Sequence, residues 1–432
     1  MSTAQLPVAG RGSARRPALL VAVVLGVALA VVIAVLTPWH LLPTPPGGRT
    51  PVDPAAAFTP AQLARAEDFA AALRPASLVN LLLGLALSAV FGLTRAGAAT
   101  ARRLARPLGG GWVWQVLLGG TAILLVGRLV TLPLSAYGEM VRHRYGLSTR
   151  GWGLYARDLA TSFAIDTGLT VLGLLVVVAL ARRAPRTWWA WAGGGAAALV
   201  VVGSFLYPLL IEPAFNRFEP MPASQLRTEL FALADRSGTP VQDVLVADAS
   251  RRTTALNAYV SGFGSSRRIV VYDTLLDQLP DSEVESIIAH ELGHVAADDV
   301  LTGTLIGALG AGAGVALLGW LLGSTPLLRR AGASGPGDGQ VIGLLLLLLA
   351  VGTLVSTPVQ NAVSRRIEAR ADLHALDLTA DPQSFEAVQR ELGVANLSEP
   401  DPPAVWQWWF GSHPTVPQRI AFAEDWTKVH GG

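Results

Sequence analysis

Seven long apolar runs dominate the pattern of hydrophobic and polar positions along the chain. Each approaches the twenty or so residues that an α-helix needs to cross the hydrocarbon core of a membrane. One such run could be a buried helix of a soluble domain, but seven together do not fit a soluble protein of this size. The predicted spans cover about residues 18–36, 76–93, 111–134, 159–181, 188–211, 300–322 and 341–359.

The first run follows three arginines, Arg11, Arg15 and Arg16, which is also the arrangement of a secretory signal peptide. Its apolar stretch is longer than a usual signal core, however, and no pair of small residues that would mark a cleavage site follows it. We therefore predict an uncleaved membrane helix. After it, the proline-rich residues 37–54 are expected to be extended, and residues 60–73 to form a short helix outside the bilayer.

Two polar stretches interrupt the apolar runs, and the first combines helix and strand patterns. We predict helices at about residues 224–237 and 282–297, the second starting with a capping box formed by Ser282 and Glu285. The second polar stretch begins with a predicted helix at about 363–378. The predicted strands cover about residues 244–246, 255–260 and 268–272.

These patterns predict an α-helical polytopic membrane protein with about seven transmembrane helices and a small α+β domain. The loop after the fifth span and the C-terminal segment together form that domain. We expect such a chain to lie in a lipid bilayer, with the cell membrane as its location. The predicted parts are a membrane region at residues 1–211, a polar segment at 212–299, two further spans at 300–359 and a C-terminal segment at 360–432.

Composition supports the membrane interpretation and removes several functions. The chain is 51% hydrophobic and 15% charged, whereas soluble domains are about one quarter charged. With 33 basic and 31 acidic residues, the net charge of +2 gives no reason to propose a nucleic acid as partner. The chain has no cysteine, which excludes disulfides, thiolate metal ligands and a cysteine nucleophile. Any metal must be bound by nitrogen and oxygen.

The sequence His290-Glu291-Leu292-Gly293-His294 lies on the predicted helix 282–297. Two histidines four positions apart project from the same face of a helix, where both imidazoles can bind one zinc ion. Glu291 is well placed to take a proton from a metal-bound water. The alternative is an ordinary helix that carries two histidines. Histidine is scarce here, with seven in 432 residues, and burying three ionisable groups among apolar neighbours is costly.

A two-histidine site needs one more protein ligand to leave an open position for water. Glu368 and Asp372 are also four residues apart, on the predicted helix that follows the seventh span. We predict that Glu368 is the third ligand and that Asp372 orients a histidine or assists proton transfer. Without the need for a ligand, the same segment would be an ordinary charged helix face with ion pairs between its arginines and acids.

The HELGH motif, the later Ser-Arg-x-x-Glu-x-x-Ala-Asp pattern at 364–372 and the seven spans resemble the type-I CAAX prenyl endopeptidase family of integral-membrane zinc proteases. The similarity covers most of the chain from about residue 73 onward. Further stretches that resemble this family are residues 139–158, 213–218, 257–259 and 269–276, and Ser412-His413-Pro414 with Arg419.

The resemblance implies roles for three further residues. Asn257 would lie on an edge strand that receives a peptide substrate by strand addition. His413 would stabilise the developing oxyanion of the scissile carbonyl, and Arg419 would support the site. The resemblance also implies one zinc ion per chain and a peptide or protein substrate. A prenylated C-terminus is the family's substrate, although a general hydrophobic peptide is equally compatible with the sequence.

Two other functions compete with this one. A quality-control protease like the bacterial heat-shock membrane proteases shares the HExxH motif, but seven spans argue against it. A transporter or receptor with a regulatory metal would bind zinc without hydrolysis and would give Glu291 no role. The sequence does not indicate an oligomeric state.

Arg128 and Asp166 are ionisable residues inside the third and fourth predicted spans. Each lies about eight residues from the intervening loop, so an antiparallel hairpin would place them at similar depth. We expect an ion pair or a polar lining of a water-filled cavity. Snorkelling of Arg128 towards the interface is the alternative.

Two arguments about sidedness oppose each other. By the positive-inside rule, arginines in the N-terminal tail and in alternate short loops would be cytoplasmic, which places the polar segments outside. The family resemblance implies a site that faces the cytosol. The twelve arginines are Arg11, Arg15, Arg16, Arg95, Arg102, Arg103, Arg106, Arg182, Arg183, Arg186, Arg329 and Arg330.

Overall fold

The computed structural model describes residues 11–210 and 216–431. The predicted end of the fifth span at Ile211 and part of the stretch 213–218 lie outside the described residues. The helices in chain order are Arg11–Leu36 (α1), Pro54–Ala57 (α2), Pro60–Leu93 (α3), Ala96–Ala105 (α4), Trp112–Tyr145 (α5), Trp152–Arg183 (α6), Trp188–Leu210 (α7), Gln225–Arg236 (α8), Asp273–Gln278 (α9), Asp281–Ala296 (α10), Asp299–Leu321 (α11), Thr325–Arg330 (α12), Ile342–Thr379 (α13), Pro382–Ala395 (α14), Ala404–Phe410 (α15) and Val416–His430 (α16).

Among the described residues, seven helices are long and apolar enough to cross a membrane: α1, α3, α5, α6, α7, α11 and α13. They correspond one for one to the predicted spans, so the predicted fold class is confirmed. At most 44% of the most apolar stretch of any of these helices is buried inside the protein, as expected for helices surrounded by lipid. The glycine-rich stretch of α11 allows close packing. A methyl group added at Gly193 of α7 would lie 3.5 Å from the carbonyl oxygen of Gly312, and one added at Gly312 would lie 3.3 Å from the side chain of Leu25 in α1.

Two predicted helix boundaries are wrong for the same reason. The short helix expected at 60–73 is the first part of α3, which continues through Pro75 to Leu93. The helix expected at 363–378 is the end of α13, a single helix of 38 residues that continues through Pro358. Hydropathy marks where the surroundings change from lipid to water or protein, whereas a helix ends only where its hydrogen bonds end. A proline removes one such bond and does not have to stop the helix.

Four strands form the sheet of the soluble domain: Phe218–Pro220 (β1), Asp243–Ala247 (β2), Ala258–Ser261 (β3) and Arg268–Tyr272 (β4). Their order is β1-β2-β4-β3, with β2 and β4 parallel and the outer pairs antiparallel. The third strand begins at Ala258 and not at Ala255 as predicted, because the backbone N–H of Leu256 bonds to the side chain of Asn396 instead of to the sheet. β3 is last in the strand order and pairs only with β4 among the described strands, so it forms an edge of the sheet.

The capping box predicted at Ser282 and Glu285 is wrong. Helix α10 begins at Asp281 with Pro280 as its N-cap, and no side chain caps it. Asp281 and Glu283 in the first turn instead provide negative charge at the positive end of the helix dipole.

One hydrophobic core holds the soluble domain together, and both polar stretches contribute to it. Leu230 of α8, Ile269 of β4 and Ile288 of α10 are fully buried, and Leu376 and Phe385 join them from the C-terminal stretch. The division of the chain into four parts stays a prediction. Helix α13 continues without a break across the predicted boundary at residue 359, between the last two spans and the C-terminal segment.

The loop after α5 joins the membrane helices to the soluble domain. Ser148 pairs with Thr253 in a short antiparallel bridge, and the backbone N–H of Thr149 donates to the carbonyl of Arg252 at 3.2 Å. The segment 250–254 leads directly into the edge strand β3. The position of that strand is therefore tied to the hairpin of α5 and α6.

Buried charges reinforce this junction. Glu139, near the end of α5, is fully buried and accepts two hydrogen bonds from Arg150, each 2.7 Å long. Asp158 of α6 accepts hydrogen bonds from Arg252 at 3.0 and 3.2 Å. Arg150 also lies 3.6 Å from Asp158, which links the two pairs into one network.

Arg128 and Asp166 line the same cavity, of about 510 Å³, between α3, α5, α6 and α13. Within the described residues no ion pair joins them, and Nε of Arg128 is buried without a hydrogen-bond partner. The predicted ion pair is therefore absent from the described structure, and the polar lining of a water-filled cavity stays a prediction.

Candidate active site

Helix α10 presents His290 and His294 on one face, with their Nε2 atoms 3.2 Å apart. The spacing of four residues accounts for this, because it brings both side chains to neighbouring positions one turn apart. Apolar residues on the other faces of α10 are buried in the domain core, which fixes the rotation of the helix. His290 is buried and His294 is partly exposed.

Glu368 reaches the same place from α13. Its Oε2 atom lies 3.2 Å from Nε2 of His290, and its Oε1 atom lies 3.8 Å from Nε2 of His294. One ligand atom from each of the three residues lies within 4.8 Å of the other two. In a tetrahedral site with ligands about 2.0 to 2.2 Å from the ion, ligand atoms lie about 3.3 to 3.6 Å apart. The observed separations are close to that range.

The Nδ1 atom of each histidine lies within hydrogen-bond distance of a carboxylate. Nδ1 of His290 lies 2.9 Å from Oδ1 of Asp372, and Nδ1 of His294 lies 2.9 Å from Oδ2 of Asp299. A carboxylate at Nδ1 favours the tautomer that carries its proton there, which leaves the lone pair of Nε2 free. Both rings thus present an acceptor to the space shared with Glu368.

The donor set fits a cation. Oε2 of Glu368 is buried without a well-formed hydrogen bond in the described structure. Burial opposes a charged imidazole, but the nearby carboxylates of Asp372 and Glu368 outweigh it and raise the pKa of His290 to about 9. The surroundings therefore attract positive charge. Two neutral imidazoles and one carboxylate form the nitrogen and oxygen ligand set of a catalytic zinc site.

A cavity of about 1020 Å³ opens beside these atoms, between β3, α10, α13 and the loop that follows α15. Glu291 lines it, and burial raises the pKa of its carboxyl group. Its lining includes every predicted site residue except Asp372: Asn257, His290, Glu291, His294, Glu368, His413 and Arg419.

The three residues assigned by resemblance occupy different parts of this cavity. Asn257 directly precedes the edge strand β3, and its carbonyl accepts from the backbone of Tyr272. His413 lies in the loop before α16 with Nε2 3.4 Å from Oε1 of Glu368. The guanidinium of Arg419 donates to both oxygens of Asp372, and its Nη2 lies 3.3 Å from Nδ1 of His290.

Comparison with known proteins agrees with this arrangement. Residues 220–427 match the family model of peptidase family M48, and residues 48–217 match the model described as CAAX prenyl protease N-terminal, five membrane helices. A protein of Bacillus subtilis named uncharacterized metalloprotease YhfN is 35% identical over 302 residues, which are 69% of this chain and 71% of the relative. The chain belongs to peptidase family M48.

Further similarities extend to eukaryotes. A CAAX prenyl protease 1 homolog of Oryza sativa is 29% identical, covering 70% of this chain and 72% of the relative. The CAAX prenyl protease 1 of Saccharomyces cerevisiae is 25% identical, covering 68% of each. The crystal structure of S. mikatae Ste24p is similar in fold, with a TM-score of 0.71, 21% identity, and coverage of 94% of this chain and 99% of that one.

The family matches and the seven candidate spans of the described residues identify this M48 protein as a multi-pass membrane metalloprotease. Membership in a peptidase family decides against the transporter or receptor alternative. The Ste24p-like fold with seven candidate spans agrees with the resemblance stated from sequence rather than with a bacterial heat-shock protease of fewer spans.

Sequence reasoning on this M48 peptidase missed two residues of the site. Asp299 lies within hydrogen-bond distance of Nδ1 of His294. Gln407 lines the cavity, and its side-chain amide donates to the carbonyl of His413 at 2.8 Å. A signal existed for Asp299, which follows His294 by five residues and forms an acidic pair with Asp298 directly before the sixth predicted span. Gln407 had no such signal, because nothing local indicates that α15 lies beside the histidines.

Proposed function

We propose that this chain hydrolyses peptide bonds with one zinc ion held by His290, His294 and Glu368 and with Glu291 as general base. The observation that supports this most directly is the convergence of three ligand atoms within 4.8 Å, with both histidines oriented by carboxylates. Zinc bound there would polarise the scissile carbonyl and lower the pKa of a coordinated water.

Glu291 moves the proton in this proposal. Its side chain follows His290 directly and faces the cavity, where it can accept a proton from the attacking water. The protonated carboxyl then donates to the nitrogen of the leaving amine. Asp372 keeps His290 in the Nδ1-protonated tautomer, and Arg419 neutralises Asp372 through two hydrogen bonds. No covalent intermediate is needed.

Two residues would bind the substrate chain. The edge position of β3 allows a peptide to add as a further strand, starting beside Asn257. His413 is exposed in the cavity, and its Nε2 atom lies 3.4 Å from Oε1 of Glu368. A carbonyl presented to the site can therefore receive its N–H. That donor would stabilise negative charge on the carbonyl oxygen as it develops.

The names of the relatives and the membrane location support a proposal for the substrate class. Several relatives are named CAAX prenyl proteases, and the site lies on helices that continue directly from membrane spans. We propose peptides that are prenylated or otherwise hydrophobic near the C-terminus. A lipid chain or an apolar peptide partitions into the bilayer, which concentrates it near the cavity.

Purified protein in detergent tests the proposal by its zinc content and by cleavage of an unstructured reporter peptide. Glu291→Gln should keep zinc and lose about 10²- to 10⁴-fold in cleavage rate, the usual contribution of a general base. Glu368→Ala should lose both zinc and activity. Glu283→Gln, on the same helix but outside the cavity, is the matched control. Full proteolysis by Glu291→Gln would remove Glu291 from the mechanism.

A further inference from the structure

Helix α15 carries an unusual concentration of aromatic residues on the surface of the soluble domain. Its seven residues include Trp406, Trp408, Trp409 and Phe410. Val405 is 72% exposed and Trp408 is 52% exposed, and the two lie on one face because they are three positions apart. Large apolar side chains exposed together mark a surface that contacts a partner or a membrane.

Contacts with α13 place α15 where that helix leaves its apolar stretch. Asn361 donates to the carbonyl of Trp409, and Arg365 donates to the carbonyl of Gln407 at 3.2 Å. Just before these residues, Val355 and Val359 are exposed as lipid-facing residues of the seventh span. At 1.5 Å per residue, Asn361 lies only about 3 Å further along the helix axis than Val359.

Contacts with a second membrane helix, α3, place α15 at the same depth relative to the apolar stretches of the spans. The guanidinium of Arg74 in α3 lies 5.5 Å from the ring centroid of Trp406 and pairs with Glu399. Four residues later, the exposed apolar positions of α3 begin with Leu78 and Val79. Tryptophan, tyrosine and arginine are the residues that favour the boundary between lipid and water. The exposed face of α15 is thus continuous with the lipid-facing surfaces of α3 and α13.

The opposite side of α15 belongs to the catalytic cavity. Gln407 lies two positions from Val405, which turns it to the other face of the helix. Its amide donates to the carbonyl of His413 at 2.8 Å, and His413 in turn lies 3.4 Å from Glu368. One short helix therefore has an apolar outer face and a polar inner face that holds the loop of His413.

We infer that α15 is an interfacial element: its Val405 and Trp408 face lies in the headgroup region of the bilayer and fixes the rim of the catalytic cavity at the membrane surface. The partner is the lipid surface of the membrane that holds the chain. The bilayer contact is independent of the peptidase activity, whereas its use in presenting membrane-anchored peptides rests on the proposed function.

The absence of cysteine allows the contact to be measured with single labels. Trp408→Cys and Val405→Cys would each carry a nitroxide in protein reconstituted into phosphatidylcholine vesicles, and collision with oxygen and with a water-soluble nickel chelate would report depth. Val355→Cys is the lipid-facing reference, and Ala232→Cys, exposed on α8, is the water-facing reference. Depths between the two references support the inference. Depths equal to that of Ala232→Cys at both positions overturn it.

A kinetic arm tests the consequence for substrates. Trp408→Ser should raise KM for a vesicle-anchored lipopeptide by about five- to tenfold, equivalent to roughly 1 to 1.4 kcal/mol. Trp408→Ser should cleave the same peptide without its anchor, assayed in detergent, with the KM of the unchanged protein. Trp408→Phe should restore the KM of the unchanged protein for the vesicle-anchored lipopeptide. Equal loss on both peptides, or loss on neither, overturns the role in presentation. If the unchanged protein cleaves neither peptide, the proposed function fails while the depth measurement still stands.

Discussion

Oδ2 of Asp299 lies 2.9 Å from Nδ1 of His294, and the other oxygen of that carboxylate is paired with Arg370 of α13. Asp299 is the first residue of α11, the sixth candidate span. The candidate metal site is therefore held by a residue at the end of a membrane helix. The orientation of His294 and the packing of that helix depend on each other.

Replacing Asp299 by asparagine should weaken zinc binding by about 10- to 100-fold, the usual effect of removing a partner that orients a histidine ligand. An amide oxygen can still accept from Nδ1, but it lacks the charge that makes the imidazole a stronger ligand. Competition with a chelator of known affinity measures this. Asp298→Asn is the control, because Asp298 is exposed and its positive φ of 51° suits asparagine. Equal affinities of the two variants would contradict the role of Asp299.

The buried pair of Glu139 and Arg150 should stabilise the junction between membrane helices and soluble domain. Glu139→Gln removes the negative charge that pairs with the guanidinium of Arg150. We expect a loss of about 3 kcal/mol, near the low end for a broken buried pair, because Asp158 remains nearby and the amide oxygen can still accept a hydrogen bond. Thermal unfolding in detergent measures the loss. Arg157→Gln, exposed on α6, should leave the unfolding temperature unchanged. Limited proteolysis should find residues 250–254 cut faster only in Glu139→Gln.

The parts of the fold that the sequence predicts best are those that depend on local periodicity. Seven spans follow from apolar runs, and the histidine pair follows from a spacing of four on one helix. Glu368 and Asp372 are predictable for the same reason, since they share a face of α13. Whether the two pairs meet depends on tertiary packing, which local periodicity does not indicate. We predicted their meeting because a zinc site with two histidines needs a third protein ligand.

What the sequence could not predict depends on contacts between distant segments. The continuity of α13 across Pro358 is hidden, because an apolar stretch followed by a charged stretch suggests two elements. The position of α15 beside the cavity is set by Asn361 and Arg365, which reach backbone carbonyls some 40 residues away. Every residue type has a backbone carbonyl, so a hydrogen bond to a carbonyl does not require a particular side chain at the accepting position. The accepting residues therefore form no recognisable sequence motif.

Asp425 should make stability depend on pH at the junction between α16 and the segment after the first span. Although burial acts in the opposite direction, hydrogen bonds from Thr50 and Arg49 hold the pKa of this carboxyl below its ordinary value. A carboxyl with a lowered folded pKa stabilises the protein above its unfolded pKa of about 3.9, and the gain disappears as pH falls through the folded value.

Asp425→Asn should therefore lower the free energy of unfolding by about 1.5 to 3 kcal/mol at neutral pH, the range for a hydrogen bond to a charged group. The difference between Asp425→Asn and the unchanged protein should shrink as pH falls from 6 towards 3. Thermal unfolding in detergent across that range measures it. Glu424→Gln, the neighbouring acid, is the control. A difference that grows on acidification would have the wrong sign for a lowered pKa.

Gly343 should be required for the close approach of the second and seventh spans. A methyl group added there would overlap the carbonyl oxygen of Phe91 in α3, and the obstacle is backbone that cannot rotate away. Gly343→Ala should therefore cost about 1 to 3 kcal/mol, as overpacking of a tight contact does. Gly352→Ala on the same helix is the control, since a methyl group there meets nothing within 4 Å.

The two glycine variants also separate packing from chemistry. Glu368 lies on the same helix as Gly343 but 25 positions later, about 37 Å along the axis. Gly343→Ala should lower the thermal unfolding temperature in detergent while leaving zinc affinity unchanged below that temperature. If zinc affinity fell together with stability, the far end of α13 would have to shift as a rigid unit when its membrane part is displaced. The soluble core around Leu376 and Phe385 opposes such a shift, because it buries the last turns of α13 independently of α3.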